Sequence, residues 1–147
     1  MTRAREIIPS LLWMSSHPDK WRPREAKVDW LSKNVQHVVL LANRTDPDLS
    51  AGISEVQLWH FPVVDSHVSV DSRIVTIVVP RIISWLSKGE AVLVACLAGR
   101  SRSGITCALV VKEYFHLNGR EALDYVRVRR PGAIKRDGPV RWLVELS

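Results

Sequence analysis

The sequence is poor in cysteine. Two, Cys96 and Cys107, stand in 147 residues. That is too few for a disulfide scaffold, and no Cys-x-x-Cys spacing offers a metal site. They read as reduced thiols of an intracellular, cytoplasmic protein that needs no metal and no cofactor. Long hydrophobic runs are missing as well. The longest, Ile74 to Pro80, is far too short to span a bilayer. The opening MTRAREIIPSLLWM carries two early arginines, but Pro9 breaks its short apolar run, which makes a poor signal peptide. There is no lipidation motif, internal repeat or low-complexity segment. Disulfide-stapled and membrane-spanning classes are thereby excluded.

What remains is the make-up of an ordinary globular chain, 46% apolar and 24% charged. The length suits one domain, expected over residues 1–147. Six tryptophans are many for this size and should lie in cores or grooves. The formal net charge of +6 favours acidic or phosphorylated partners.

The elements alternate. IIPSLLWM reads as a first strand entered through Pro9. Pro23 suits a first helical position for the helix REAKVDWLSKN. VQHVVLLA reads as a strand, NRTDPDLSAG as a loop and VQLWHFPVV as a further strand. From Asp71 to Gly89, apolar residues recur at helical spacing, and Pro80 predicts a kink. AVLVA reads as a buried strand. Helical patterns follow over Ser103 to Leu117, Glu121 to Arg129 and Val140 to Leu146. Such alternation implies an α/β domain with a mainly parallel central sheet and helices on both faces.

In folds of that class, ligands bind beyond the carboxyl ends of the strands. ACLAGRSRSG, Ala95 to Gly104, lies at such an end, between AVLVA and the helix from Ser103. A loop curling through Leu97, Ala98, Gly99, Arg100 and Ser101 into a helix N-terminus can converge its amides on an anion. Gly99 permits a backbone conformation that a Cβ hinders. Arg102 can fold back and hold two phosphate oxygens with its planar fork. The same field favours the thiolate form of a cysteine, so Cys96 is the candidate nucleophile. Ser103 is placed to hydrogen-bond the sulfur. Cys107 has no comparable setting and is expected in a helix core.

CLAGRSRSG resembles the Cys-x5-Arg-Ser/Thr signature of the cysteine-dependent protein tyrosine phosphatases. Its Ala-Gly-x-Ser-Arg-Ser pattern is similar to the dual-specificity branch in particular. EIIPSLLWMSS, VQHVVLLAN, FPVVDS and EALDYVRVRRPGAI are similar to segments of those domains in the same order. Low-molecular-weight phosphatases carry their signature near the N-terminus. Full-size tyrosine phosphatase domains are much longer. Rhodanese-like phosphatases lack a matching Phe-Pro-x-x-Asp segment. The compact dual-specificity domain fits best.

The resemblance implies hydrolysis of phosphotyrosine and phosphoserine/threonine in proteins through a phosphocysteine. Asp65, in the loop after FPVV, is then the general acid and base. Asp71 is a rival better suited to an N-cap, and Asp46 and Asp48 are expected to be solvated. Two residues depart from the family pattern. Ala95 stands where His usually precedes the cysteine, which is expected to weaken preorganisation of the loop. Arg100 is basic, as in the lipid-phosphatase branch, although Leu97 is not. Two alternatives follow, a phosphoinositide or RNA 5′-phosphatase and a phosphate-binding pseudophosphatase. Arg120, Arg127, Arg129, Arg130, Lys135, Arg136 and Arg141 make the C-terminal third basic. Without an aromatic RNA-binding motif beside it, this third is expected to be a solvated face, and nucleic acid is not expected as a partner. His60 and His67 flank the acid loop; either could line the site, but lone histidines are more often structural.

Overall fold

A computed structural model describes residues 4–147; Arg3, one of the two early arginines, lies outside them. The runs HVVL and VLVA are apolar on both faces, the pattern of strands covered on two sides. They form the interior strands β3 (His37–Leu40) and β5 (Val92–Ala95), buried at every position. With β1 (Arg5–Ile8), β2 (Leu12–Ser15) and β4 (Gln57–His60) they make one sheet in the order β1-β2-β5-β3-β4. β2, β5, β3 and β4 run parallel, and β1 is antiparallel at the edge.

The pleat divides the interior in two. Val92, Val94 and Cys96 enter one core with Ile82, Ile105 and Leu109. Ala91, Leu93 and Ala95 enter the other with Trp21, Leu31 and Leu40. Helices α1 (Arg24–Asn34) and α2 (Pro47–Ala51) serve the second core. α3 (Val79–Ser87), α4 (Arg102–Phe115), α5 (Gly119–Arg129) and α6 (Asp137–Val144) cover the first. The α/β architecture with helices on both faces therefore stands as the sequence implied. Trp13 and Trp21 meet Trp30 edge-on, at centroid distances of 5.0 and 5.6 Å. No helix among the described residues is long and apolar enough to cross a membrane.

Several local expectations are corrected. IIPSLLWM is not one strand but an antiparallel pair, turned at Pro9 and Ser10, with Ile8 opposite Leu12. Ser10 takes a positive φ of 63°, and its amide is held by Glu6. Pro23 is the N-cap of α1 rather than its first residue. Pro80 is absorbed by a π-helical stretch, Ile74–Val78, in which the Val79 amide reaches back to Ile74; the proline is the second residue of α3, directly after this change of helical register.

The largest correction concerns NRTDPDLSAG, which holds α2. Asp46 is fully buried rather than solvated. Its carboxylate caps α2 through the Leu49 amide (3.0 Å) and pairs with the buried Lys27 ammonium (2.8 Å). Lys27 also meets Asp48 (2.6 Å), as does Arg24 (2.6 Å). Hydrogen bonds from Lys27 and Arg24 hold the Asp48 carboxyl below its usual range. A buried ion stripped of its partner costs far more than the pair contributes. Lys27→Ala is therefore expected to lose about 3–5 kcal/mol of stability in urea unfolding, and Lys27→Ala/Asp46→Ala is expected to recover part of that loss.

Candidate active site

β5 ends at Ala95 and α4 begins at Arg102. The six residues between them must turn a strand into a helix with no ladder of their own. Three of their carbonyls are instead claimed from outside the loop. The Leu97 carbonyl accepts from the His17 amide (3.1 Å) and from Lys20 Nζ (3.0 Å). The Arg100 carbonyl accepts from the Ile134 amide (2.9 Å), and that of Ser101 from Ile105 (2.9 Å). Among the described residues, the amides of residues 97–102 donate to no protein acceptor. A loop with these carbonyls engaged elsewhere and its amides free has the makings of an anion nest, and the α4 N-terminus adds its partial positive charge.

Gly99 makes the turn possible. Its φ is +70°, and a Cβ there would come within 2.4 Å of the backbone of Ser15 and Ser16. The end of β2 thus lies directly behind the loop. His17, fully buried, fixes that end: Nε2 donates to the Arg44 carbonyl (2.9 Å), while Nδ1 accepts from the Asp19 amide (3.3 Å).

Cys96 is 3% exposed. Its Sγ lies 3.3 Å from Ser103 Oγ. Arg102 folds back so that Nη1 approaches the Leu41 carbonyl beyond β3 (3.4 Å). The Nε atoms of Arg100 and Arg102 are buried with no protein partner among the described residues. A pocket of about 230 Å³ opens over the thiol, lined by Cys96, Leu97, Ala98, Arg100, Ser101 and Arg102, and opposite them by Asp65, Lys135 and Arg136. A larger groove of about 820 Å³, between α4 and α6, contains none of the candidate site residues.

Asp65 stands in the open loop after β4 and is held by Arg136, with Nη2 3.1 Å from Oδ2 and Nε 3.4 Å from Oδ1. Asp71 is engaged differently. It accepts from the Val64 and Arg73 amides and pairs with the Arg73 guanidinium (2.7 Å). The Arg73 hydrogen bond chiefly, with the two amides, holds its carboxyl far below the carboxylate range despite desolvation. Its place before the helix and its bond to the Arg73 amide are those of an N-cap. Folding sets that carboxyl below its unfolded value, so the stability it contributes is present at neutral pH and is lost as pH falls through the acid range.

Ala95 points into the core opposite the pocket, beside Trp21 and Leu31, so this departure removes no group from the pocket wall. Cys107 is fully buried, and burial pushes its thiol up. His60 binds the Ala42 carbonyl (2.8 Å), away from the pocket. The basic C-terminal third is not simply solvated. Arg127 ties the Ala133 and Ile134 carbonyls (3.0 and 2.7 Å), and Arg129 lies 3.5 Å from the Tyr125 ring centroid.

A sequence profile of the dual specificity phosphatase catalytic domain matches residues 24–147. The chain belongs to this family. It is a cysteine-dependent phosphatase. Three solved structures share its fold. Tk-PTP in its active form has 24% identity and a TM-score of 0.78, covering 97% of each chain. The human tyrosine phosphatase-like serine/threonine/tyrosine-interacting protein has 24% identity and a TM-score of 0.79, covering 98% of this chain and 95% of that one. PTPMT1 in complex with PI(5)P has 18% identity and a TM-score of 0.77, covering 98% and 94%. No curated protein matches significantly.

The structure also brings to the candidate site residues that the sequence does not single out: His17 and Lys20 on the Leu97 carbonyl, and Arg136 on Asp65. The first two lie before the profile match begins, in a stretch whose composition signals only turns. Gly99→Ala is expected to cost about 2 kcal/mol or more, through a strained backbone and a clash that side chains cannot relieve. Vanadate affinity, measured by thermal shift, is expected to fall with it.

Proposed function

We propose that the chain hydrolyses phosphotyrosine and phosphoserine/threonine in protein substrates through a phosphocysteine intermediate. The observation that carries this reading is the loop of unengaged amides around Cys96, with Ser103 Oγ 3.3 Å from the sulfur. The catalytic unit is the whole chain, residues 1–147. β2 pairs with β5, and His17 and Lys20 hold the loop from before the profile match begins. Both cysteines are free, which suits the cytoplasm, where thiols stay reduced.

The reaction proceeds in two displacements. Cys96 Sγ attacks phosphorus in line with the leaving oxygen. An S–P bond forms, the P–O bond breaks, and Asp65 gives its proton to the departing oxygen. Asp65, now a carboxylate, takes a proton from a water that attacks the phosphocysteine. The S–P bond breaks and phosphate leaves, with Ser103 donating to the departing sulfur. Arg102 and the amides of Leu97, Ala98, Gly99, Arg100 and Ser101 hold the equatorial oxygens throughout. Because these donors are fixed before substrate arrives, little reorganisation is needed at the transition state.

A second reading, phosphoinositide hydrolysis, is favoured by one feature. Arg100 and Lys135 both line the pocket, and neither forms an ion pair among the described residues. Two free cations at the rim suit a substrate with more than one phosphate. A panel of phosphotyrosine and phosphoserine/threonine peptides, phosphoinositides and 5′-triphosphate RNA separates the readings. Turnover on the peptides above that on lipid and RNA is expected; the reverse order overturns the protein-phosphatase assignment. Activity is expected to survive chelators and to be lost with vanadate or Cys96→Ser. Ser103→Ala removes a hydrogen bond to a charged group, worth about 1.5–3 kcal/mol. It is expected to slow phosphocysteine breakdown about tenfold to a hundredfold and to leave a burst of product in rapid-mixing kinetics.

A further inference from the structure

The geometry points to Arg136 as the positioning residue that aims the Asp65 carboxyl at the leaving oxygen. This rests on the reading of Asp65 as proton donor and goes beyond it. The acid loop has no regular structure between β4 and the helix from Ser72, and Asp65 is exposed. Its own contacts flank Asp65 without reaching its carboxylate: Val64 is tied to Asp71, and Ser66 Oγ accepts from the Val68 and Ser69 amides. Among the described residues, Arg136 is the only partner of the Asp65 carboxylate.

The guanidinium is placed to orient that carboxylate, not merely to neutralise it. Nε and Nη2 face the two carboxylate oxygens side by side, and a planar fork fixes the plane of a carboxyl group as a point charge cannot. Nη1 turns the other way, to the His67 ring at 2.7 Å from Nε2. Two residues further on, the backbone closes the clamp: the Gly138 amide donates to the His67 carbonyl (3.1 Å), and a Cβ at Gly138 would lie 2.5 Å from Val68 Cα. The start of α6 therefore grips the acid loop at Asp65, His67 and Val68. The two oxygens are held unequally. Oδ2 receives the shorter bond at 3.1 Å, and Oδ1 only a loose one at 3.4 Å. Oδ1 can carry the transferable proton while Oδ2 stays bonded to Arg136, so the grip survives protonation.

The test compares kcat/KM on two small substrates, an aryl phosphate with a good leaving group and an alkyl phosphate with a poor one. Only the second needs a well-aimed acid. Asp65→Asn is expected to raise the aryl-to-alkyl ratio about a hundredfold or more. Arg136→Ala is expected to raise it about tenfold to a hundredfold, the scale of a misplaced group, and Arg136→Lys by less. Asp65→Asn/Arg136→Ala is expected to match the ratio of Asp65→Asn alone, since there is no proton left to aim. Thermal melts accompany each variant, and a loss of fold lowers both substrates together without moving the ratio. An unchanged ratio in a folded Arg136→Ala protein, or a further rise in the double variant, overturns the inference. If Asp65→Asn itself leaves the ratio unmoved, the acid assignment falls instead.

Discussion

The site depends on where the Leu97 carbonyl points. A peptide unit has two ends, and an anion nest needs the N–H end of each loop unit facing inward. Left alone in a short loop, those amides would find carbonyls of neighbouring units, and the cradle would close on itself. The His17 amide and Lys20 Nζ draw the Leu97 carbonyl outward, and the Ile134 amide does the same for Arg100. Leaving several amides unengaged costs folding free energy. It is tolerated because the pocket opens to solvent, and because a bound phosphate oxygen can take the place of water without any rearrangement of the loop.

The fold delivers these anchors through its strand order. β2, β5 and β3 are parallel neighbours, so their carboxyl ends emerge side by side. β5 supplies Cys96. β2 supplies the Ser15 and Ser16 backbone against which Gly99 packs, and then His17. β3 supplies the Leu41 carbonyl that receives Arg102. The pleat adds a second constraint. Adjacent residues on β5 face opposite cores, so Cys96 must turn toward α4 and Ser103 while Ala95 turns toward Trp21 and Leu31. A residue at position 95 can act on the chemistry only through the far side of the sheet.

What the sequence revealed follows from which interactions are local. AVLVA, Gly99 and the Arg102-Ser103 pair belong to one contiguous stretch, and strand, turn and helix start each leave a mark there. The order of the elements and the two-sided sheet were legible for the same reason. Contacts between distant segments were not. Asp46 reads as a turn residue until Lys27, nineteen positions earlier, is brought beside it. The hairpin of β1 and β2 hides in one apolar run because its turn uses Pro9 and a left-handed Ser10 rather than glycine. Arg136 looks like one arginine among many in a basic third of the chain. Only its approach to Asp65, seventy-one positions away, sets it apart.

Charge then biases the pocket toward a doubly charged anion. Four cations, Arg100, Arg102, Lys135 and Arg136, line it against one carboxylate, Asp65, which Arg136 already occupies. Close behind, burial and the nearby positive charges of Arg100 and Arg5 depress the Arg130 guanidinium. Crowding cations in this way is unfavourable without an anion, as repulsion and desolvation act in the same direction. A singly charged ligand relieves little of it. A phosphate monoester brings two negative charges and three equatorial oxygens, enough to engage the amides and the Arg102 fork at once. Binding therefore recovers both costs built into the empty loop, the unengaged amides and the uncompensated charge, and the substrate itself completes the site's electrostatics.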